Sequence, residues 1–176
     1  NHYPISIAWP DRAQLPLQSA SECRIHVHTI YALPQAHRVG VGVERLDYTK
    51  GILERFLAVE RLLELQPEWI GAFSFIQIAA PSRSKIEEYQ QLAQQVIASA
   101  ERINERFGRE GYHPIHLRIE HHEPKDVTTY YRGADFCIVS SLHDGMNLVA
   151  KEFVAAREDE QGVLILSQFT GAATEL

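Results

Sequence analysis

The sequence has few cysteines, no long apolar run and no excess of positive charge. Its two cysteines, Cys23 and Cys137, lie far apart and form no CxxC pair, so neither a disulfide framework nor a zinc site is indicated. The longest apolar stretches, such as residues 134–139, are strand-sized, whereas a bilayer span needs about 20 apolar residues. Seventeen Lys and Arg against 23 Asp and Glu give a net charge of −6, which argues against a nucleic-acid binder. We therefore expect a cytoplasmic protein without membrane or nucleic-acid partners.

The two ends of the chain resemble the interior of a longer protein. It opens with a strand-like run at residues 3–10 without an initiator Met, and residues 171–176 have the pattern of a helix that is just starting. The length of 176 residues fits one domain, and a 45% share of hydrophobic residues is typical of a globular chain with a core. We therefore expect a single, truncated domain over residues 1–176 with marginal stability.

Strand and helix patterns alternate along the chain. Short apolar runs predict buried parallel strands, and apolar residues three or four positions apart predict helices. The predicted strands are residues 38–43, 72–79, 115–120, 135–139 and 163–166, and the predicted helices are residues 51–65, 83–107, 124–132 and 145–156. This alternation with short connections predicts an α/β fold, a Rossmann-like parallel sheet with helices on both faces. Because such sheets bind ligands outside the carboxyl ends of their strands, the residues that follow each strand are the candidates for function.

Two cations follow the first predicted parallel strand. Arg45 stands at its tip, and Lys50 comes five residues later at the start of a helix. A guanidinium, an ammonium and the positive end of a helix can converge on a diphosphate. The alternative is that both cations only pair with Glu44 and Asp47 at the surface. No GxGxxG stands at this turn and no GxxxxGK[ST] occurs in the chain, so NAD binding and a P-loop are disfavoured.

The segment with the most candidates follows the strand at residues 135–139. Asp144 is placed to cap the next helix, and Gly145 lets a ligand approach the backbone amides of the first turn. Glu152 lies about two turns further on, roughly on the same face. Carboxylates spaced in this way suit the recognition of sugar hydroxyls, although a capping Asp and a surface Glu would also explain them.

Other polar residues at strand ends are weaker candidates. Arg83 follows the second parallel strand, either as an anion ligand or as a solvated side chain beside a helix cap, and His143 either lines the site or lies in a solvated loop. Four histidines are close in sequence, but Pro114 breaks their helical spacing and neighbours on a strand point in opposite directions. We therefore expect no metal site among His113, His116, His121 and His122.

Three segments resemble the family of trehalose-6-phosphate synthases, retaining glycosyltransferases of the GT-B type with two Rossmann domains (glycosyltransferase family 20). They are ERLDYTKG at residues 44–51, DGMNLVAKEF at 144–153 and GVLILS at 162–167. The resemblance covers nearly the whole chain in order. It implies that the chain is most of the C-terminal, donor-binding half of such an enzyme and that the N-terminal acceptor domain is absent.

The resemblance also implies a role for each candidate residue. The diphosphate of UDP-glucose would be neutralised by the catalytic residues Arg45 and Lys50, and glucose hydroxyls would bind Asp144. Sugar and phosphate would meet the amides of Gly145, Met146, Asn147 and Leu148, the ribose would bind Glu152, and the phosphate of glucose 6-phosphate would bind Arg83. The implied reaction gives trehalose 6-phosphate and UDP. Two cations and a helix N-terminus would take the place of a metal, so no metal or other cofactor is expected. In this family the leaving phosphate takes the acceptor proton, so no protein base is expected here either.

Other functions stay open at this point. A relative that glucosylates glycerol 3-phosphate, or one that prefers GDP- or ADP-glucose, would share these motifs. A non-catalytic nucleotide-sugar-binding module would show decay of the contacts, yet Arg45, Lys50, Asp144 and Glu152 are all present. A sugar-phosphate phosphatase would need a DxD motif, which the sequence lacks. We expect the chain alone to bind its ligands without turnover, and the sequence leaves open a homo-oligomer of the full-length form.

Overall fold

The fold is one parallel sheet between two layers of helices, seen in a computed structural model that describes residues 5–7, 18–82 and 86–176. The strands are β1 (Arg38–Arg45), β2 (Phe73–Ala80), β3 (Ile115–Arg118), β4 (Phe136–Val139) and β5 (Val163–Leu166), in the order β3-β2-β1-β4-β5. The helices are α1 (Ala20–Ile30), α2 (Ile52–Leu65), α3 (Glu87–Phe107), α4 (Pro124–Gly133) and α5 (Leu148–Ala156). Short 3-10 turns lie at Tyr48–Lys50, Pro67–Trp69 and Gly171–Thr174. The predicted Rossmann-like sheet is confirmed.

Each face of the sheet buries its own apolar cluster. Under α2 and α3, the side chains of Phe56 and Phe75 are fully buried, and under α1, α4 and α5 the cluster includes Ile76 and Phe153. Phe75 and Ile76 are consecutive on β2 and therefore point to opposite faces. Seven of the eight residues of β2 are buried, as expected for a strand covered on both sides.

Helix α1 is the main element that the sequence patterns did not predict. Ser19 and Glu22 form a capping box at its start, in which the Ser19 hydroxyl accepts from the Glu22 amide at 3.3 Å and the Glu22 carboxylate accepts from the Ser19 amide at 2.6 Å. Buried Cys23 and Val27 turn one side of the helix to the core. The S-x-x-E signal was therefore present in the sequence.

The predicted ends of the chain and the starts of two helices, α3 and α5, differ from the structure. Residues 5–7 of the predicted run at 3–10 form no strand, and the rest of that run lies outside the described residues. The pattern at 171–176 forms a 3-10 turn instead of an α-helix. Helix α3 begins at Glu87. In the described part of the chain, no helix combines the length and the hydropathy that a membrane span requires.

Candidate functional site

The candidate site is the crevice where the connections after β1 and β4 diverge. The chain leaves β1 toward α2 on one face of the sheet and leaves β4 toward α5 on the other face. Such a switch in strand order opens a crevice at the carboxyl ends of the strands. A cavity of about 690 Å³ lies there, lined by Ile5, Glu44, Arg45, Lys50, Asp144, Gly145, Met146, Asn147, Leu148, Val149 and Glu152.

This cavity brings together every predicted site residue that the structure describes. Arg83, the remaining predicted site residue, lies outside the described residues. A second cavity of about 700 Å³ lies at the opposite, amino-terminal edge of the sheet, beside Arg38, Phe73 and Val163, and none of the predicted residues lines it. Parallel α/β sheets bind ligands at the carboxyl edge, so we assign the site to the first cavity.

Lys50 and Asp144 form an ion pair across the crevice. The Lys50 Nζ lies 2.5 Å from the Asp144 Oδ2, and each side chain is 15% exposed. The Asn147 amide nitrogen donates to the same oxygen at 3.1 Å, and the Met146 backbone amide donates to the Oδ1 at 3.4 Å. Burial by itself raises the pKa of Asp144, but the hydrogen bond and charge of Lys50 and the two amide donors outweigh it and lower the pKa. Asp144 is therefore held as a carboxylate in a fixed orientation.

Asp144 does not cap helix α5, so that prediction is wrong. The helix begins at Leu148, and the cap is Asn147, whose side-chain oxygen accepts from the Ala150 amide at 3.1 Å. Asn147 has a φ of +68°, which Asn tolerates better than most residues. The Asp144 carboxylate lies further from the helix and forms an ion pair with Lys50.

The loop before helix α5 is fixed by the chain that follows β5. The Asp144 amide donates to the Phe169 carbonyl at 3.1 Å, and the Asp144 carbonyl accepts from the Gly171 amide at 3.0 Å. The Met146 carbonyl accepts from the Ala172 amide at 2.8 Å. These backbone bonds hold the segment in place before any ligand arrives.

Arg45 and Lys50 do not pair with Glu44 and Asp47, the surface alternative raised by the sequence. Arg45 is exposed and forms no ion pair with any residue in the described part of the chain. Glu44 instead contacts Arg55, and Asp47 caps the turn before Lys50 by accepting from the Thr49 amide at 2.9 Å. Arg45 is thus free to meet an anion in the cavity.

The turn that carries Lys50 is locked against the segment after β4. Gly51 has a φ of +65°, and a Cβ built on it would lie 2.2 Å from the Ser140 carbonyl oxygen, so a glycine is required. The Ser140 hydroxyl donates to the Gly51 carbonyl at 2.7 Å, and the Leu142 amide donates to the Thr49 carbonyl at 2.8 Å. The two loops that line the cavity are therefore one connected unit.

Glu152 lies on helix α5 at the far side of the cavity. Its Oε2 accepts from the Tyr131 hydroxyl at 3.3 Å. Burial raises the pKa of Tyr131 well above its ordinary value, so the hydroxyl stays protonated and orients the carboxylate. His143, in contrast, is exposed and does not line the cavity, which agrees with the solvated-loop alternative.

A buried arginine under the site was missed by the sequence analysis. Arg55 contacts Glu44, Gln77 and Ser140 beneath the cavity, and its side chain is 0% exposed. Burial raises the pKa of Glu44 to about 7, and the charge of Arg55 limits that rise. The signal in the sequence was a charged residue on the buried face of a helix, next to Ile52 and Phe56, together with an acid at a strand end.

His116, on strand β3, makes packing contacts with neighbouring rings. Burial lowers the pKa of His116 to about 4, and its ring centroid lies 4.5 Å from that of Tyr31. Within residues 18–82 and 86–176, no group of three or more His, Cys, Asp or Glu side chains is arranged to hold a metal ion.

The fold and the site together define the class of protein to which this chain belongs. The chain is a Rossmann-like α/β protein whose strand-switch crevice presents two cations, three acidic side chains and a loop of backbone amides. The profile of glycosyltransferase family 20 matches residues 1–176, and the chain belongs to this family.

Individual relatives are trehalose-phosphate synthases. A UDP-forming alpha,alpha-trehalose-phosphate synthase of Dictyostelium discoideum is 45% identical over 139 residues, which are 79% of this chain and 19% of the relative. A trehalose-6-phosphate synthase of Salmonella arizonae is 43% identical over 175 residues, 99% of this chain and 36% of the relative. The chain thus spans about a third or less of the length of these curated relatives.

Solved structures of the same kind share the fold. A UDP-forming synthase from Burkholderia xenovorans matches with a TM-score of 0.82 and 40% identity, over 89% of this chain and 36% of that one. A related structure of the same synthase is in complex with glucose-6-phosphate. An E. coli structure bound with UDP-2-fluoro glucose matches with a TM-score of 0.81 and 39% identity, over 89% and 37% of the two chains.

Proposed function

We propose that this chain is the donor-binding half of a UDP-forming trehalose-6-phosphate synthase. The parent enzyme moves glucose from UDP-glucose to glucose 6-phosphate with retained configuration. The observation that carries this proposal is the cavity at the strand switch, which Arg45, Lys50, Asp144 and Glu152 line together. The relatives bound with UDP-2-fluoro glucose and with glucose-6-phosphate support the choice of substrates.

The two cations act on the leaving group. Breaking the bond between glucose and the diphosphate loads negative charge on the phosphate oxygens, and preorganised cations stabilise that charge more than they stabilise the ground state. Lys50 is held at the crevice by Asp144, and Arg45 is free for an anion. Loss of one such contact costs about a hundredfold in rate or more, roughly 3 kcal/mol.

The remaining residues hold the sugar and the ribose. Asp144, fixed as a carboxylate, accepts hydrogen bonds from glucose hydroxyls and releases Lys50 to the diphosphate. The amides of residues 145–148 face sugar and phosphate, and Glu152 binds the ribose. Arg83 is proposed to reach the phosphate of the acceptor. None of these roles requires a metal.

The acceptor site completes the enzyme from outside this chain. The chain spans 36% of the Salmonella relative, and we propose that the other part of such an enzyme supplies the residues that bind glucose 6-phosphate. Turnover therefore requires both parts, and the chain alone binds the donor without reaction.

Calorimetric titration of the chain tests this proposal. We expect UDP and UDP-glucose to bind, GDP-glucose and ADP-glucose to bind more weakly, and the Arg45→Ala, Lys50→Ala double variant to lose at least a hundredfold in affinity for UDP. The matched control is Arg109→Ala, Lys125→Ala, which removes the same charge from exposed positions outside the cavity. A folded chain that binds no nucleotide, or a double variant that binds UDP like the control, would contradict the proposal. Preference for GDP- or ADP-glucose would assign another donor.

A further inference from the structure

A fully buried guanidinium lies directly beneath the candidate diphosphate site. Arg55 on helix α2 is 0% exposed and does not line the cavity, so it cannot touch a ligand there. We infer that Arg55 is a positioning residue, which holds Arg45 and Lys50 in the geometry that a nucleoside diphosphate requires. This inference rests on the function proposed above.

Arg55 connects three strand ends. Its Nη2 donates to both oxygens of Glu44 at 2.9 Å, its Nη1 donates to the Gln77 Oε1 at 2.6 Å, and its Nε donates to the Ser140 Oγ at 3.1 Å. These partners lie near the carboxyl ends of β1 and β2 and just after β4. A single side chain therefore joins the strand ends that form the crevice.

The hydrogen bonds of Arg55 also reach the segments that carry the two cations. Glu44 immediately precedes Arg45, so fixing its carboxylate fixes the tip of β1 from which Arg45 extends. The Ser140 hydroxyl, which Arg55 orients, donates to the carbonyl of Gly51 at 2.7 Å, next to Lys50. Both cations are thus one residue from a group that Arg55 holds.

Arg55 also neutralises a carboxylate at the site. Glu44 lines the cavity, and a charged carboxylate there would repel the phosphates that Arg45 and Lys50 attract. The Arg55 Nη2 donates to both oxygens of this carboxylate and balances its charge. Arg55 therefore prevents Glu44 from adding an uncompensated negative charge to a cavity in which Arg45 and Lys50 already face Asp144 and Glu152.

The backbone of β1 leaves room for this side chain. A Cβ added to Gly42 would lie 2.3 Å from the Arg55 Nη1 and 2.7 Å from the Gln77 Oε1. Buried ion pairs contribute little to stability relative to apolar residues of the same volume. Stability alone therefore gives no reason for a glycine in a central strand and a buried arginine beside it, whereas positioning of the site does.

The test compares UDP with uridine, which lacks the phosphates. Arg55→Lys keeps the charge but cannot reach Glu44, Gln77 and Ser140 from three separate nitrogens. We expect its affinity for UDP to fall at least tenfold, with its affinity for uridine, measured by NMR titration, within twofold of the wild-type value. The matched control is Arg132→Lys: Arg132 is also buried and paired with Glu158, and it does not line the cavity. We expect the control to lower the melting temperature without changing either affinity.

If the Arg55→Lys variant does not fold, Ser140→Ala tests the positioning role of Arg55 instead. It removes one hydroxyl that contacts both Arg55 and Gly51, and we expect UDP to bind about threefold to tenfold more weakly, again without an effect on uridine. Equal losses of UDP and uridine binding, or unchanged UDP binding in either folded variant, would overturn the positioning role. A wild-type chain that binds no UDP would instead overturn the proposed function, and this result is known before any variant is measured.

Discussion

Replacing Gly51 by alanine tests the contact between the two loops of the site. Gly51 has a φ of +65°, and an added Cβ would meet the Ser140 carbonyl oxygen at 2.2 Å, about 1 Å closer than ordinary contact allows. The left-handed conformation costs alanine about 1 kcal/mol. The displaced backbone adds roughly 2 kcal/mol, as overpacking does in a core. We expect Gly51→Ala to lose about 3 kcal/mol of unfolding free energy.

Gly111→Ala is the matched control for this substitution. Gly111 has a φ of +74°, and none of the described atoms lies within 4 Å of its added Cβ, so this variant loses only the conformational term of about 1 kcal/mol. Urea unfolding followed by circular dichroism measures both changes. With an m-value of about 2 kcal/mol/M, the midpoint falls by about 1.5 M for Gly51→Ala and by about 0.5 M for the control. Equal shifts in the two variants would show that the Ser140 contact does not constrain the loop.

Three further predictions concern single side chains. Arg102 and Arg106 lower the pKa of Glu60 from 4.5 to about 2, so the stabilisation is present above about pH 4.5 and is lost as the pH falls toward 2. Because both arginines are about half exposed, we expect Glu60→Gln to cost about 1 kcal/mol at pH 7 and only a minor fraction of that near pH 2.5, by urea midpoints at both pH values. Asn147→Ala loses the cap of α5 at a positive φ, and its melting curve should report about 2 kcal/mol of destabilisation; no change would refute the cap. Asp144→Ala should weaken binding of UDP-glucose more than that of UDP in calorimetry, and an equal effect on both would refute its contact with glucose.

The strands and most helices were predictable because their patterns are local. The buried run at β2 and the apolar face of α2 depend only on neighbouring residues, and both elements form within a residue of the predicted bounds. Helix α1 was also readable from its capping box at Ser19 and Glu22, although its apolar pattern is weak. Local sequence patterns therefore predict most of the helices and strands of the fold.

The partners inside the site were not predictable in the same way. From the sequence alone, Asp144 is expected to cap a helix. The structure shows that it contacts Lys50, which lies 94 positions away in the sequence. From the sequence alone, Glu44 is expected to pair with nearby cations at the surface. The structure shows that helix α2 brings the buried Arg55 into contact with it. Such choices depend on which distant groups the topology brings within about 3 Å, and a sequence pattern does not contain that distance.

Because Gly42 leaves the space that Arg55 occupies, the residues at positions 42 and 55 should change together in evolution. A side chain at residue 42 would collide with the guanidinium, and a shorter residue at 55 would leave a void beside Gln77. Either substitution alone is costly, whereas the pair can change together. Among relatives of this chain, a residue larger than glycine at position 42 should therefore occur with a smaller residue at position 55, as correlated substitutions in an alignment.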